Sequence, residues 1–321
     1  MRFGWIAIGS ENTGSTRHFV LNCHNTLLDN GYFSEILSLN DYYFPDIMRD
    51  VEKIKSKIIS LNLTHIVFQK VLGIKARELI LWCKKIGLKV IYNNGDWYYD
   101  EFYHQFDRIF VGSLFIKNYL EITYNLKNVS VMYDMIEYFP TDIKKHETFF
   151  PTLGWFGNKG KMQEITSFIK RLNYKHNVIT ISNTLPHELF RANIEMGDGT
   201  NIPWGVEKLY EILFNEIDIL IIPIDVNENN KKNQYAKTAN RAIPAIQLGI
   251  PVVYTPIPSY NEIFINKVNG CSCSTLENWK ETLELLSSPF IRKEISEEAK
   301  KIEEKFMPNK VIEYFLGELK K

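Results

Sequence analysis

The feature that most constrains this chain is a recurring alternation of short apolar runs with amphipathic stretches. In the first half the runs are FGWIAIG (3–9), THIVFQKV (64–71), LKVIYNN (88–94), RIFVGS (108–113) and VSVMYD (129–134). Each is too short for a buried helix and apolar at successive positions, the pattern of strands buried on both faces of a parallel sheet. Helices fall between them. One starts near Ser15 and Thr16, which can cap it, and stops at Gly31; another runs from about Ile74 to Ile86 and stops at Gly87. Strand–helix–strand repetition of this kind predicts a Rossmann-like domain over residues 1–145.

Around YFPTDIKKHETFFPT (138–152) the periodicity lapses into prolines and charges, which marks a domain boundary. The pattern then resumes: the strand TLGWFGN, a helix at about 161–172, the strand NVITIS, a helix over 204–215, the strand IDILIIPI, a helix within KTANRAIPAIQLGIPVVY (237–254) and the strand PVVYT. This predicts a second Rossmann-like domain over 151–305. The chain turns helical after Glu277, and residues 306–321 are expected to form a helix that packs back on the first domain. The expected fold class is therefore α/β, with two doubly wound domains facing a cleft and a helical C-terminal tail. Sheets of this type bind ligands outside the carboxyl ends of their strands.

A length of 321 residues suits two such domains. Lys plus Arg and Asp plus Glu each number 38, so no net field advertises nucleic acid as a partner. Lysine pairs at 84–85, 144–145, 231–232, 300–301 and 320–321 are scattered; they read as solvated faces and leave peripheral contact with an anionic membrane open. Cysteines at 23, 83, 271 and 273 match neither a zinc site nor a secreted disulfide framework. With no signal-like leader and no apolar run of about 18 residues, the expected location is cytoplasmic, with the inner face of a membrane left open.

Four places carry chemistry. The loop after the first strand, IAIGSENTGSTRH, places Ser10, Asn12, Thr13 and Gly14 ahead of a helix whose first turn holds Arg17 and His18. Its small and hydroxyl residues offer free N–H groups to an anion or to hydroxyls, or form an ordinary capped turn. Gly9 and Gly14 lack the dinucleotide spacing, so no nicotinamide or flavin cofactor is expected. In LKVIYNNGDWYYD, Asp96 follows a strand end and is either a general base or a helix cap. In LGWFGNKGK, Gly157, Asn158 and Lys159 make a turn able to hold phosphate.

In the fourth, Pro244 would cost roughly 3 kcal/mol inside a helix but little in a first turn. The helix is thus expected to begin at Asn240 or Arg241 and end at Gly249, with Lys237, Asn240 and Arg241 around a start that favours an anion. The loop PIPSYNEIF then brings Ser259, Tyr260 and Glu262 near the same place.

The order LGWFGNKG, IPWGVEKLYEILFNEIDILIIPI, KTANRAIPAIQLGIPVV and PSYNEIF, followed by Trp279, resembles the donor-binding half of GT-B glycosyltransferases, particularly the family 4-like bacterial polysaccharide enzymes. ENTGSTRH, HIVFQKV, GLKVIYNNGDWYYD and FDRIFVGS are similar to their acceptor-domain strands. The resemblance implies transfer of a sugar from a nucleotide-sugar donor to a glycan or glycolipid hydroxyl in surface polysaccharide or glycoconjugate synthesis, with no cofactor and no metal.

Carried over, it assigns donor binding to Gly157, Asn158, Lys159, Lys237, Asn240, Arg241, Ser259, Tyr260 and Glu262, and acceptor binding to Ser10, Asn12, Thr13, Gly14, Arg17 and His18. One departure stands out. The two glutamates that many family 4 enzymes carry eight positions apart correspond here to Ala236 and Pro244. A nucleotide-sugar epimerase and a non-catalytic nucleotide-sugar-binding scaffold are the alternatives that the same architecture allows.

Overall fold

All the apolar runs but VSVMYD, which forms an edge strand, become inner strands of two sheets in the computed structural model, which describes residues 1–11, 13–40, 51–94, 101–174, 177–185, 188–193, 198–203 and 205–321. The chain divides into two units: Met1–Glu137, Tyr235–Thr238 and Lys305–Lys321 form the first, and Tyr138–Gln234 with Ala239–Glu304 the second.

The first unit runs β1 (Arg2–Ile8), α1 (Gly14–Thr16), a π-helical turn (Arg17–Leu21), α2 (Asn22–Asp29), β2 (Phe33–Asn40), α3 (Val51–Ser60), β3 (His65–Gln69), α4 (Ile74–Lys85), β4 (Lys89–Asn94), β5 (Arg108–Val111), α5 (Leu114–Tyr124) and β6 (Val129–Val131). Its six strands are ordered β2-β1-β3-β4-β5-β6, and every pair is parallel.

Alternation along β1 shows why these strands read as apolar throughout. Phe3, Trp5 and Ala7 face the layer made by α2 and residues 311–316, while Ile6 and Ile8 face the layer of α3, α4 and α5. Gly31 (φ 78°) and Gly87 (φ 84°) end α2 and α4 in the left-handed conformation that such stops require. The first helix departs from expectation at its start. Thr13 precedes it and Ser15 and Thr16 lie inside its first turn, where the Thr16 hydroxyl donates to the Ile8 carbonyl at 3.3 Å instead of capping.

The second unit contains β7 (Leu153–Asn158), α6 (Met162–Leu172), β8 (Val178–Leu185), β9 (Glu188–Asn193), β10 (Asp198–Pro203), α7 (Val206–Glu216), β11 (Ile219–Ile222), most of α8 (Lys231–Tyr235), α9 (Ala242–Leu248), β12 (Val252–Tyr254), α10 (Pro258–Asn261), β13 (Cys271–Ser272), α11 (Leu276–Leu285) and α12 (Pro289–Lys300). Its strand order is β10-β9-β8-β7-β11-β12-β13. The sheet is not wholly parallel, because β9 and β10 extend one edge as an antiparallel ribbon.

Helix α9 starts after Arg241, so Pro244 falls in its first turn, where no intrahelical N–H bond is lost; Gly249 closes it at φ 68°. The last helix, α13 (Pro308–Glu318), belongs to the first unit and buries Ile312 and Phe315 against β1 and β5. Among the described residues, no helix is long and apolar enough to cross a membrane.

Candidate functional site

Each sheet has one place where successive connections leave in opposite directions: between β1 and β3 in the first unit, and between β7 and β11 in the second. At such a reversal the loops diverge and leave a crevice at the strands' carboxyl ends. The predicted site residues that follow strands, Asn12 and Asp96 apart, can be located against these two places.

In the first unit β1 leads into Gly9, whose φ of 112° and tight surroundings exclude a side chain: a Cβ would lie 2.6 Å from Thr16 Oγ1 and 2.9 Å from Thr13. The Thr13 amide donates to the Ser10 carbonyl at 3.0 Å, folding the loop into a turn that delivers Gly14 and Arg17. Asn12 lies outside the described residues, as does Asp96.

Arg17 and His18 share one carboxylate. Arg17 Nε donates to Glu137 Oε1 at 2.9 Å and Nη2 to Oε2 at 3.4 Å, while His18 Nε2 stands 3.6 Å from Glu137 Oε1. His18 Nδ1 is 3.0 Å from the Met135 carbonyl, which only accepts, so Nδ1 is the donor in that contact. Beside them Asp134 is buried, accepts from the Thr238 hydroxyl and has no partner at Oδ1; burial raises its pKa above the usual carboxylate range against the pull of His18 and Thr238.

The adjoining strands end in two buried amides. Gln69, the last residue of β3, pairs in register with Ala7 on one side and Asn93 on the other. Asn93 Nδ2 donates to the Phe19 carbonyl at 3.5 Å, but Asn93 Oδ1 and both amide atoms of Gln69 have no partner. Lys70 follows at φ 58°, a conformation uncommon for a residue with a side chain.

In the second unit β7 ends at Asn158, whose Oδ1 accepts from the Gly160 amide at 2.8 Å and caps a short 3-10 turn, Lys159–Lys161, that opens α6. Gly157 is required because a Cβ there would lie 2.7 Å from Trp155 Cζ2. Lys159 is exposed, and Lys161 pairs with Glu164 at 2.7 Å. Across the reversal, the Asp225 amide donates to Glu164 Oε1 at 3.4 Å and the Ile224 amide to Thr255 Oγ1 at 2.9 Å. The crevice end of this sheet thus joins the Gly157–Gly160 turn to the chain leaving β11.

Asn240 and Arg241 are half-buried at the head of α9, whereas Lys237 is exposed on the Tyr235–Thr238 segment of the first unit. Ser259 is buried with an unpartnered Oγ, Tyr260 is a core ring stacked on Tyr254 (5.5 Å, 21°), and Glu262 is half-buried. Among the described residues, no three His, Cys, Asp or Glu side chains gather as a metal-ligating group.

Reasoning from sequence missed Gln69, Asp134 and Glu137. An amide at a strand end such as Gln69 reads as an exit to solvent, and its burial is a fact of the fold. No sequence signal pairs Glu137 or Asp134 with residues more than a hundred positions away.

The chain aligns over its whole length with solved glycosyltransferase structures. HepE (Alr3699) from Anabaena, solved with UDP and glucose, is 10% identical, covers 100% of both chains and gives a TM-score of 0.65. A glycosyltransferase from Rickettsia africae is 11% identical over 98% of this chain and 97% of its own, with a TM-score of 0.63. The fold is of the GT-B type. A TarM variant from S. aureus, solved with fondaparinux, α-GlcNAc-glycerol and UDP, covers 80% of this chain and 55% of its own at 8% identity and a TM-score of 0.55. No protein-family model and no curated protein matches the chain.

At these identities the likeness establishes the GT-B architecture and not the chemistry.

Proposed function

We propose that this GT-B chain is a glycosyltransferase of the family 4-like kind that moves a sugar from a nucleotide-sugar donor to a sugar hydroxyl, in surface polysaccharide or glycoconjugate synthesis. The observation that carries the reading is the Asn158-capped turn Gly157–Gly160 at the reversal point of the second sheet, where a glycine-bounded turn sets the exposed Lys159 at the carboxyl end of β7. HepE, alike in fold over its full length, was solved with UDP.

In this reading the second unit holds the donor. Gly157, Asn158, Lys159, Asn240 and Arg241 meet the diphosphate, and Ser259, Tyr260 and Glu262 stand by the donor's remaining groups. Ser10, Thr13, Gly14, Arg17 and His18 of the first unit meet the glycan or glycolipid acceptor. The bond from the acceptor oxygen to the anomeric carbon forms as the bond from that carbon to the phosphate oxygen breaks. The nucleoside diphosphate leaves with the electron pair, and the acceptor proton passes to a base, for which Asp96 is the sequence candidate. Cations and fixed N–H groups stabilise the departing diphosphate in place of a metal.

A panel of UDP-, GDP-, dTDP- and CMP-sugars, offered with mixed glycoside acceptors and followed by mass spectrometry, tests this. The expected result is one donor class consumed to a glycoside product, with at least tenfold weaker nucleotide binding in Lys159→Ala and Arg241→Ala. Absence of nucleotide binding, or unchanged binding in both variants, would overturn it.

A further inference from the structure

The two buried amides at the end of the first sheet have no structural work that accounts for them. Gln69 and Asn93 are 0% and 1% exposed, sit side by side in parallel register, and leave Gln69 Oε1, Gln69 Nε2 and Asn93 Oδ1 without partners. Buried polar groups are almost always paired, and leaving them unpaired costs stability that an apolar side chain of the same shape would not.

Three further observations fall on the same spot. The pair lies at the carboxyl ends of β3 and β4, with Gln69 beside β1 at the reversal point. The next residue, Lys70, is held at φ 58°. The helix opposite is wound as a π turn, Arg17–Leu21, and its Phe19 carbonyl takes the Asn93 amide hydrogen. Left-handed non-glycine residues and π turns both tend to occur at functional sites.

The donor–acceptor count identifies the ligand chemistry. Phe19 fixes Asn93 with its NH2 toward that carbonyl, so Oδ1 is a free acceptor. Gln69 adds one acceptor oxygen and one NH2 donor, and the set carries no charge. Sugar hydroxyls both donate and accept, so two neighbouring hydroxyls satisfy it: one bridges the Gln69 amide and the other donates to Asn93 Oδ1. A carboxylate or phosphate would meet two amide oxygens and a single NH2 donor on this pair, and is disfavoured by it.

We propose that Gln69 and Asn93 form the floor of a subsite in the first unit that binds an uncharged, hydroxyl-bearing pyranose ring, the acceptor. The proposal rests on the glycosyltransferase reading for that last identity alone.

The test uses the full chain, labelled with 15N and saturated with UDP, and follows the Gln69 side-chain NH2 signal, assigned by its loss in Gln69→Met. Methyl β-D-glucopyranoside, methyl β-D-galactopyranoside, methyl α-D-mannopyranoside and sodium D-glucuronate are titrated in turn. At least one neutral glycoside is expected to move the signal saturably, glucuronate to leave it in place, and Gln69→Met to bind that glycoside at least tenfold more weakly while melting at the same or a higher temperature. The proposal is overturned if no neutral glycoside moves the signal, if Gln69→Met binds as wild type does (the pair then holding only internal water), or if that variant melts lower. UDP affinity, measured separately by calorimetry, tells the two readings apart: if UDP does not bind but a glycoside behaves as described, the donor reading fails and the subsite stands.

Discussion

Glu137 receives both hydrogen bonds of its carboxylate from Arg17, Nε at 2.9 Å and Nη2 at 3.4 Å, across 120 residues of sequence. The side chains are 17% and 10% exposed, so the pair is shielded from water and screened little by salt. Removing either partner breaks a shielded charge pair. Arg17→Ala is expected to destabilise the first unit by about 1–3 kcal/mol, and Arg17→Ala/Glu137→Ala to cost less than the sum of the single changes. Urea unfolding of the four proteins of this cycle checks it; strictly additive losses would show that the pair is not coupled.

Asp134 gives a pH signature of definite sign. Burial raises its folded pKa above the unfolded value near 3.8, so between the two values the folded state holds the extra proton. Its contribution is therefore full below about pH 3.8 and is lost as pH rises through the folded value. Asp134→Asn, which cannot ionise, should gain on wild type in stability as pH rises from 4 to 7. Thermal melts of both proteins across that interval measure the difference, and a constant offset would refute the assignment.

The same residues show what a sequence reveals and what it hides. Strands β1, β3, β4 and β5 were legible because burial on both faces leaves an apolar run that no loop imitates. The edge strand β2, FSEILSLN, has neither a continuous apolar run nor strict alternation, and the ribbon β9–β10, ELFRAN and DGTNIP, has no apolar run, so periodicity alone passes over them.

The turn at Gly157–Gly160 was legible because a glycine turn between strand and helix is a local signal. Pro244 was legible because its cost depends only on its place in one helix. Gln69 was not: an amide at a strand end reads as an exit to solvent, and only the fold reveals that it is buried without partners. Arg17 and His18 were named, but their shared partner Glu137 is a tertiary fact.

Thr238 is seated on Gly112. A Cβ on Gly112 would occupy the space of the Thr238 methyl, and the same short segment places Tyr235 edge-on to Phe115 (5.7 Å, 87°) and Ala236 in the core of the first unit. Gly112→Ala should therefore cost about 1–3 kcal/mol by overpacking and expose residues 235–238 to faster hydrogen exchange. Adding Thr238→Ser, which removes the methyl but keeps the hydroxyl that Asp134 accepts from, should restore protection. If exchange is unchanged in Gly112→Ala, the seating is not what holds this segment.

Asn158 separates folding from ligand binding within one side chain. Its Oδ1 accepts from the Gly160 amide at 2.8 Å and so fixes the turn that carries Lys159. Asn158→Ala loses that acceptor and should cost about 0.5–2 kcal/mol, the usual worth of a cap. Asn158→Asp keeps the acceptor and the turn, so its stability should match wild type, but it places a negative charge where the proposed diphosphate lies. UDP binding by calorimetry should then fall at least tenfold in Asn158→Asp, and part of the loss should return as salt rises from 50 to 500 mM because screening weakens the repulsion; both figures follow from the magnitude of close like-charge pairs and their screening, roughly 1–4 kcal/mol near a surface. Undiminished UDP affinity in Asn158→Asp would remove the diphosphate from this turn.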